Sequence, residues 1–207
     1  MENVKYPYMN HVQMTLHLMF HSLTELRILS KPRTSRSELK LLNSHLFTFY
    51  AVSVQYMFTM EFCKLLETSN KAEENVASLM KLNEYTLKEV GQQFNERYQE
   101  NRHILNEIRK SDIHKLIRKN RNTKFGHLDG SQSQPYRISP LSDDELDDVI
   151  GIVEKVKKVF NNCTSVYDFE FMFTHEDDRT DNFVKFHARY QEFYSQNRRL
   201  AMEQGFF

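Results

Sequence analysis

Apolar residues recur three or four positions apart along most of this chain, which is the spacing of one face of an α-helix. Between His11 and Leu29 they are Val12, Leu16, Met19, Leu23 and Leu26. Glycine and proline, which β-turns and hairpins need, number only 5 and 4 among 207 residues. The sequence therefore predicts an all-α fold, an antiparallel helical bundle with a C-terminal helical extension.

Capping and breaking residues divide the first half of the chain into helices. Pro32 ends the first helix, and Ser35 or Ser37 is expected to cap a second one over residues 38–66. A third segment, residues 71–109, keeps the same apolar spacing. We therefore expect one long central helix between two amphipathic neighbours.

Similar signals organise the middle of the chain. Gly91 is expected to kink or divide the third segment, and Ser111 is expected to cap a short helix after it. Residues 128–140 are rich in Gly, Ser and Pro and predict a loop. Ser142 then begins a helix with acidic residues in its first turn and lysines in its last, as the helix dipole favours.

The C-terminal region is expected to differ from the bundle. Residues 166–174 alternate phenylalanines with other residues, which favours a short strand or an extended arm. A last helix is predicted over residues 180–202. We predict a helical bundle over residues 1–162, with residues 163–207 as an arm and helix that pack on the same domain.

Composition limits where such a protein would act. The 28 basic and 28 acidic residues cancel, so the overall charge demands neither nucleic acid nor an anionic membrane. The uncharged stretch 46–60 is shorter than the roughly 20 residues that span a bilayer. Cys63 and Cys163 are a hundred positions apart and form no metal-ligand pattern. We expect a cytoplasmic protein with reduced, buried thiols and no membrane partner.

One histidine pair has the spacing of a metal site. His17 and His21 are four residues apart on the first helix, but no third ligand accompanies them. Their neighbours Met19 and Phe20 indicate a packing face instead. We therefore predict no metal and no cofactor.

Positive charge is concentrated in one segment of this neutral chain. Residues 109–124 contain a single acid, Asp112, and seven basic residues: Arg109, Lys110, Lys115, Arg118, Lys119, Arg121 and Lys124. Such a segment can attract the phosphates of a nucleic acid. The alternative is a solvated helix face that the following acidic helix balances.

The stretch RNTKFGH, residues 121–127, ends this basic segment. In a regular helix Arg121 and His127 would lie about 9 Å apart along the axis and about 120° apart in rotation, which is too far to hold one phosphate together. Gly126 weakens a helix at this point. The two side chains can form one site only if the backbone is irregular here, or if equivalent residues meet across a dimer axis.

An arginine, a polar residue, a short variable run and a histidine on a helix resemble the R-x(4–6)-H motif of the HEPN superfamily. The run from Arg121 through Asn122 to His127 has five residues between arginine and histidine, and the basic lead-in IRKN looks most like HEPN proteins of the abortive-infection type. The similar stretch covers about 15 residues. The resemblance is therefore local.

This resemblance implies a metal-independent endoribonuclease of toxin or phage-defence type that acts as a homodimer on RNA. It implies His127 as the general acid or base, Arg121 as the phosphate clamp and Asn122 as an orienting hydrogen-bonding group. The expected RNA-binding residues are Arg118, Lys119, Lys124 and Lys115.

One departure from the family pattern concerns neutralisation. HEPN proteins paired with nucleotidyltransferase antitoxins often carry a tyrosine two residues after the histidine, where this chain has Asp129. An antitoxin protein stays a candidate partner, but not through modification of that tyrosine. The alternative function is a non-catalytic HEPN-like module that binds RNA, a nucleotide or a protein partner.

Overall fold

The computed structural model describes residues 7–67, 78–125, 141–173 and 178–205. These residues form nine α-helices and no β-strand, which confirms the all-α prediction. The helices are α1 (Pro7–Ser30), α2 (Arg36–Leu42), α3 (His45–Leu65), α4 (Leu79–Val90), α5 (Asn95–Lys110), α6 (Asp112–Asn120), α7 (Asp143–Thr164), α8 (Arg179–Gln196) and α9 (Arg198–Glu203).

The predicted central helix over residues 38–66 is in fact two helices. Ser35 caps α2 by accepting a hydrogen bond from the Glu38 backbone N–H, but α2 ends after seven residues at Asn43. The hydroxyl oxygen of Ser44 then accepts from the Phe47 N–H at 3.4 Å and begins α3. Asn and Ser are favoured at helix ends because their side chains bond to free backbone groups. Asn43 and Ser44 therefore end α2 and begin α3 within the segment that was predicted as one helix.

Gly91 divides the third helical segment, as predicted. It has φ +74° and ψ −147°, a backbone region almost restricted to glycine, and α4 ends there. A 3-10 turn, Gly91–Phe94, then leads into α5. The division allows α4 and α5 to pack against each other and against α7.

The later helices largely follow the sequence prediction. The Ser142 side chain and Glu145 form a reciprocal capping box at the start of α7. The helix continues to Thr164, so its lysines lie before the last turn and not in it. The predicted strand or arm over residues 166–174 begins instead in a 3-10 helix, Ser165–Tyr167, and a left-handed turn at Asp168, and residues 169–173 form neither helix nor strand. The predicted last helix is broken at Asn197 into α8 and α9.

The chain divides into two compact units. The first comprises residues 1–23 and 55–173, and the second comprises residues 24–54 and 174–207. The core of the first unit includes Phe58, Phe62, Leu105, Val149 and Phe160, which are all fully or almost fully buried. The boundary predicted after residue 162 stays a prediction.

The second unit has a small apolar core and a buried ionic group. Its core contains Leu41, Phe47 and Val184. The Arg33 side chain is 6% exposed, and its Nη2 lies 2.6 Å from Oδ1 of Asp181. A buried guanidinium requires such a partner because an unpaired charge is costly to desolvate.

Two further predictions concern membranes and thiols. No described helix is both long enough and apolar enough to span a bilayer. Cys63 and Cys163 are both buried, as predicted, and form no disulfide with each other.

Candidate functional site

Helix α6 carries the basic segment and is bound to the body of the first unit by one face. Ser111 begins it by accepting a hydrogen bond from the His114 N–H at 3.3 Å. Ile113 and Ile117 are buried on its inner side, and Lys115 and Lys119 are exposed on its outer side. This amphipathic pattern fixes which charged residues turn toward the protein and which turn toward solvent.

The backbone becomes irregular where the motif begins. Residues Arg121–Phe125 form a π-helical turn directly after α6. A π-helix bonds i to i+5, which changes the side-chain directions that a regular helix would give, and such turns are frequent at functional sites. The irregularity therefore begins at Arg121, while Gly126 and His127 lie outside the described residues.

A cavity of about 120 Å³ lies between the end of α3 and the inner side of α6. Its lining residues come from three places along the sequence. They are Cys63, Leu66, Glu67, Arg109, His114, Arg118 and Arg121. Among the residues that the structure describes, three guanidinium groups and one carboxylate line this cavity.

Arg109 and Arg121 are oriented by protein atoms around this cavity. Nε and Nη2 of Arg109 donate to the carbonyl oxygen of Leu66 at 3.3 and 3.2 Å. Nη1 of Arg121 lies 3.9 Å from Oε1 of Glu67, and its Nε donates to Oδ1 of Asn122 at 3.2 Å. Arg121 also hydrogen-bonds to the side chain of Cys63, and its contact with Glu67 is long for an ion pair.

His114 is the histidine of this cavity. Only 7% of it is exposed, and its Nδ1 lies 3.2 Å from the carbonyl oxygen of Arg109. Burial lowers the pKa of His114 below its usual 6.5, and the charges of Arg118 and Arg109 lower it further, against the Arg109 carbonyl. The ring is therefore neutral at pH 7.

Cys63 is the thiol of the cavity wall. Burial raises its pKa, while the guanidinium groups of Arg121 and Arg118 partly oppose that rise. The pKa of Arg109 is lowered by burial and by repulsion from Arg118. Beside the larger effect of burial, the positive charges of neighbouring arginines thus lower the pKa of both Cys63 and Arg109.

The sequence matches the HEPN family described as AbiU2 over residues 9–183, most of the chain. The protein belongs to this family. The resemblance predicted from the motif is thus confirmed at the level of the superfamily and of its abortive-infection type. No curated protein and no solved structure matches the chain.

The structure of this HEPN-type module brings together only part of the predicted site. Arg121 and Arg118 line the cavity, whereas Lys119 and Asn122 are exposed outside it. Lys115 is also outside and pairs with Asp112 at 2.8 Å. The Lys124 side chain and His127 lie outside the described part of the chain, so their roles stay predictions.

Five of the seven residues that line the cavity were absent from the predicted site: Cys63, Leu66, Glu67, Arg109 and His114. Arg109 belonged to the basic segment but precedes the motif by twelve residues, and His114 had no recognised pattern. The available signal was the spacing of His114, Arg118 and Arg121, which are four and three residues apart and so share one side of a helix. The contribution of α3 had no signal in the sequence.

The other histidine pair packs among aromatic rings. The His17 ring lies 4.7 Å from Phe171 and the His21 ring 4.9 Å from Phe173, between centroids. Within the described ranges, no three His, Cys, Asp or Glu side chains group as metal ligands. The ring contacts agree with the packing interpretation of His17 and His21, although His21 is exposed.

Proposed function

We propose that this HEPN-type protein is an endoribonuclease that needs no metal and acts in a toxin or phage-defence setting. The observation that carries the proposal is the position of Arg121, the first residue of the motif. It lines a cavity that two further arginines, Arg109 and Arg118, also line. A site with this excess of guanidinium groups is suited to the phosphates of RNA.

The chemistry follows from the residue types of the motif. His127 removes a proton from a ribose 2′-hydroxyl, whose oxygen attacks the adjacent phosphorus while the bond to the 5′-oxygen breaks. The 5′-oxygen receives a proton, and the products carry a 2′,3′-cyclic phosphate and a 5′-hydroxyl. Arg121 stabilises the charge that gathers on the phosphate oxygens, and Asn122 orients Arg121 through their hydrogen bond.

The proposed active form is a homodimer in which two copies of the motif face one cleft. This arrangement supplies a second Arg121 and a second His127, so that one histidine can act as base while the other acts as acid. Lys115 and Lys119 would bind RNA phosphates outside the cavity, and Lys124 would bind a further phosphate. Sedimentation at several protein concentrations tests whether the dimer forms.

The test of the activity is RNA cleavage in EDTA by wild type, Arg121→Ala and His127→Ala. Arg102→Ala and His103→Ala are matched controls, because both side chains are exposed on α5 and neither lines the cavity. We expect the cleavage rate to fall by at least about a hundredfold in both motif variants, because one loses the general acid-base group and the other the phosphate clamp. The two control variants should keep the wild-type rate.

Other outcomes distinguish the alternatives. RNA binding without cleavage by any variant indicates the non-catalytic HEPN module. Cleavage that EDTA abolishes indicates a metal site and contradicts the proposed mechanism. Products that end in a 3′-hydroxyl rule out attack by the 2′-hydroxyl.

A further inference from the structure

We propose that the cavity between α3 and α6 is a phosphate-binding site in which Arg109 and Arg118 act with Arg121 on one phosphate of the RNA backbone. The identity of the ligand as RNA rests on the proposed function. The preference for a phosphate group rests on the cavity itself.

Charge is the first argument for an anion. Arg109, Arg118 and Arg121 line the cavity, and Glu67 supplies the one carboxylate among its described lining residues. In the described part of the chain, no carboxylate oxygen lies within 4 Å of a nitrogen of Arg109 or Arg118, and the contact of Arg121 with Glu67 is 3.9 Å. A bound dianion or diester would relieve the mutual repulsion of these guanidinium groups.

Preorganisation is the second argument. Arg109 donates from Nε and Nη2 to the Leu66 carbonyl, which holds its guanidinium plane against the end of α3. Arg118 and Arg121 approach from α6 and from the π-helical turn. Donors on separate elements can bond to different oxygens of one tetrahedral anion, and Arg109, which is already fixed, loses little side-chain entropy when binding occurs.

Size and neighbours fit a phosphate group. The cavity volume of about 120 Å³ is several times what one water molecule requires, so a multi-atom anion has room. His114 and Cys63 line the same cavity and add no negative charge to it, because an imidazole is neutral or cationic and burial raises the pKa of the thiol. Among the lining residues that the structure describes, only Glu67 would repel an anion.

Arg118 provides the decisive variant because it is exposed on α6 and its change should not disturb the fold. The probe is a 2′-O-methyl RNA octamer, which the full-length protein cannot cleave by 2′-hydroxyl attack. We expect Arg118→Gln to weaken octamer binding by about tenfold and to reduce the slope of log K against log salt by about 0.7. Arg118→Lys, which keeps the charge but not the planar fork, should retain the slope and recover only part of the affinity.

Lys110→Gln is the matched control, since Lys110 is exposed at the end of α5 beside Arg109 but does not line the cavity. Equal weakening by Lys110→Gln and Arg118→Gln would show general charge attraction and overturn the proposal. Adenosine 5′-monophosphate that binds as tightly as the octamer, with the same loss in Arg118→Gln, would overturn the assignment to RNA. Octamer binding that falls only in Arg118→Gln supports the proposal.

The failure of this inference can be separated from that of the nuclease. If wild type does not cleave unmodified RNA but octamer binding depends on Arg118, the nuclease proposal fails and the phosphate site stands. If wild type cleaves RNA while Arg118→Gln leaves both cleavage and octamer affinity unchanged, the phosphate site fails alone.

Discussion

His114 Nδ1 lies 3.2 Å from the carbonyl oxygen of Arg109, across the corner at which α5 passes into α6. Because a carbonyl only accepts hydrogen bonds, Nδ1 carries the proton of the neutral ring and Nε2 has the free lone pair. The contact fixes the tautomer and joins a cavity residue of α5 to one of α6. Because Arg118 and Arg109 lie close to the ring, the pKa of His114 depends on the positive charge around the cavity.

The pKa of His114 should respond to that charge. We expect a value below 6.5 in wild type, because burial disfavours the imidazolium and Arg118 repels it. Arg118→Gln removes a positive charge and so should raise the pKa, although not above 6.5, since burial is the larger cause and remains. Binding of the octamer should also raise it.

An NMR titration of the imidazole resonances measures this pKa. A wild-type His114 pKa at or above 6.5 would contradict the expectation. So would a fall in the pKa when Arg118 is replaced.

The two thiols should differ in reactivity. Burial raises the pKa of Cys163 to about 12, whereas the rise at Cys63 is opposed by Arg121 and Arg118. At pH 8.5 we expect iodoacetamide to modify Cys63 at least about tenfold faster, since the thiolate is the reactive form. Arg121→Gln should slow the reaction of Cys63, and peptide mass spectrometry measures both rates. Faster modification of Cys163 would show that the cavity charge does not act on Cys63.

Gly91 and Gly151 should respond in opposite directions to alanine. Gly91 has φ +74° at the end of α4, where an L-residue is strained, although an added methyl would meet no atom within 4 Å. Gly91→Ala should therefore lower the free energy of unfolding by about 1–3 kcal/mol. Gly151 lies inside α7 with open space around it, and Gly151→Ala should raise the free energy by about 0.5–1 kcal/mol. Urea denaturation distinguishes these signs, and two changes of the same sign would refute the backbone argument.

A buried amide chain should contribute to stability. Nδ2 of Asn101 donates to Oδ1 of Asn83 at 2.9 Å, and Oδ1 of Asn101 accepts from Asn162 at 2.8 Å. Asn101 and Asn83 are completely buried, so Asn101→Ala should cost about 1–3 kcal/mol by leaving polar atoms without these partners. Asn106→Ala, on the exposed side of the same helix, is the control and should change stability by less than about 0.5 kcal/mol. Thermal unfolding of both variants measures the difference, and equal costs would contradict this role of the amide chain.

The parts of the fold that sequence reasoning predicted are those with local causes. Ser111 and Ser142 cap helices because a hydroxyl bonds to a backbone N–H three residues later, and Gly91 ends a helix because it tolerates positive φ. The break at Asn43 and Ser44 also has a local cause, namely the capping side chains of these two residues. It was not predicted, because the long uncharged stretch that follows favours one continuous helix. Apolar spacing alone does not locate a short interruption.

The site was predictable only where its residues are neighbours in sequence. Arg118 and Arg121 were found because they lie within one basic segment and one motif. His114 was missed because its contact with the Arg109 carbonyl and its burial within the first unit have no sequence pattern. The membership in the HEPN superfamily was recognised from about 15 residues.

The sequence by itself determined the helical class, most helix ends and the concentration of basic residues in α6, because these depend on spacing and on contacts between near neighbours. The tertiary structure decided which of those basic residues face a cavity. Leu66 and Glu67 at the end of α3 meet Arg109 and Arg121, which follow them by about 43 and 54 positions. Such a meeting depends on how buried helix faces pack, and packing is a property of the whole chain rather than of any one segment.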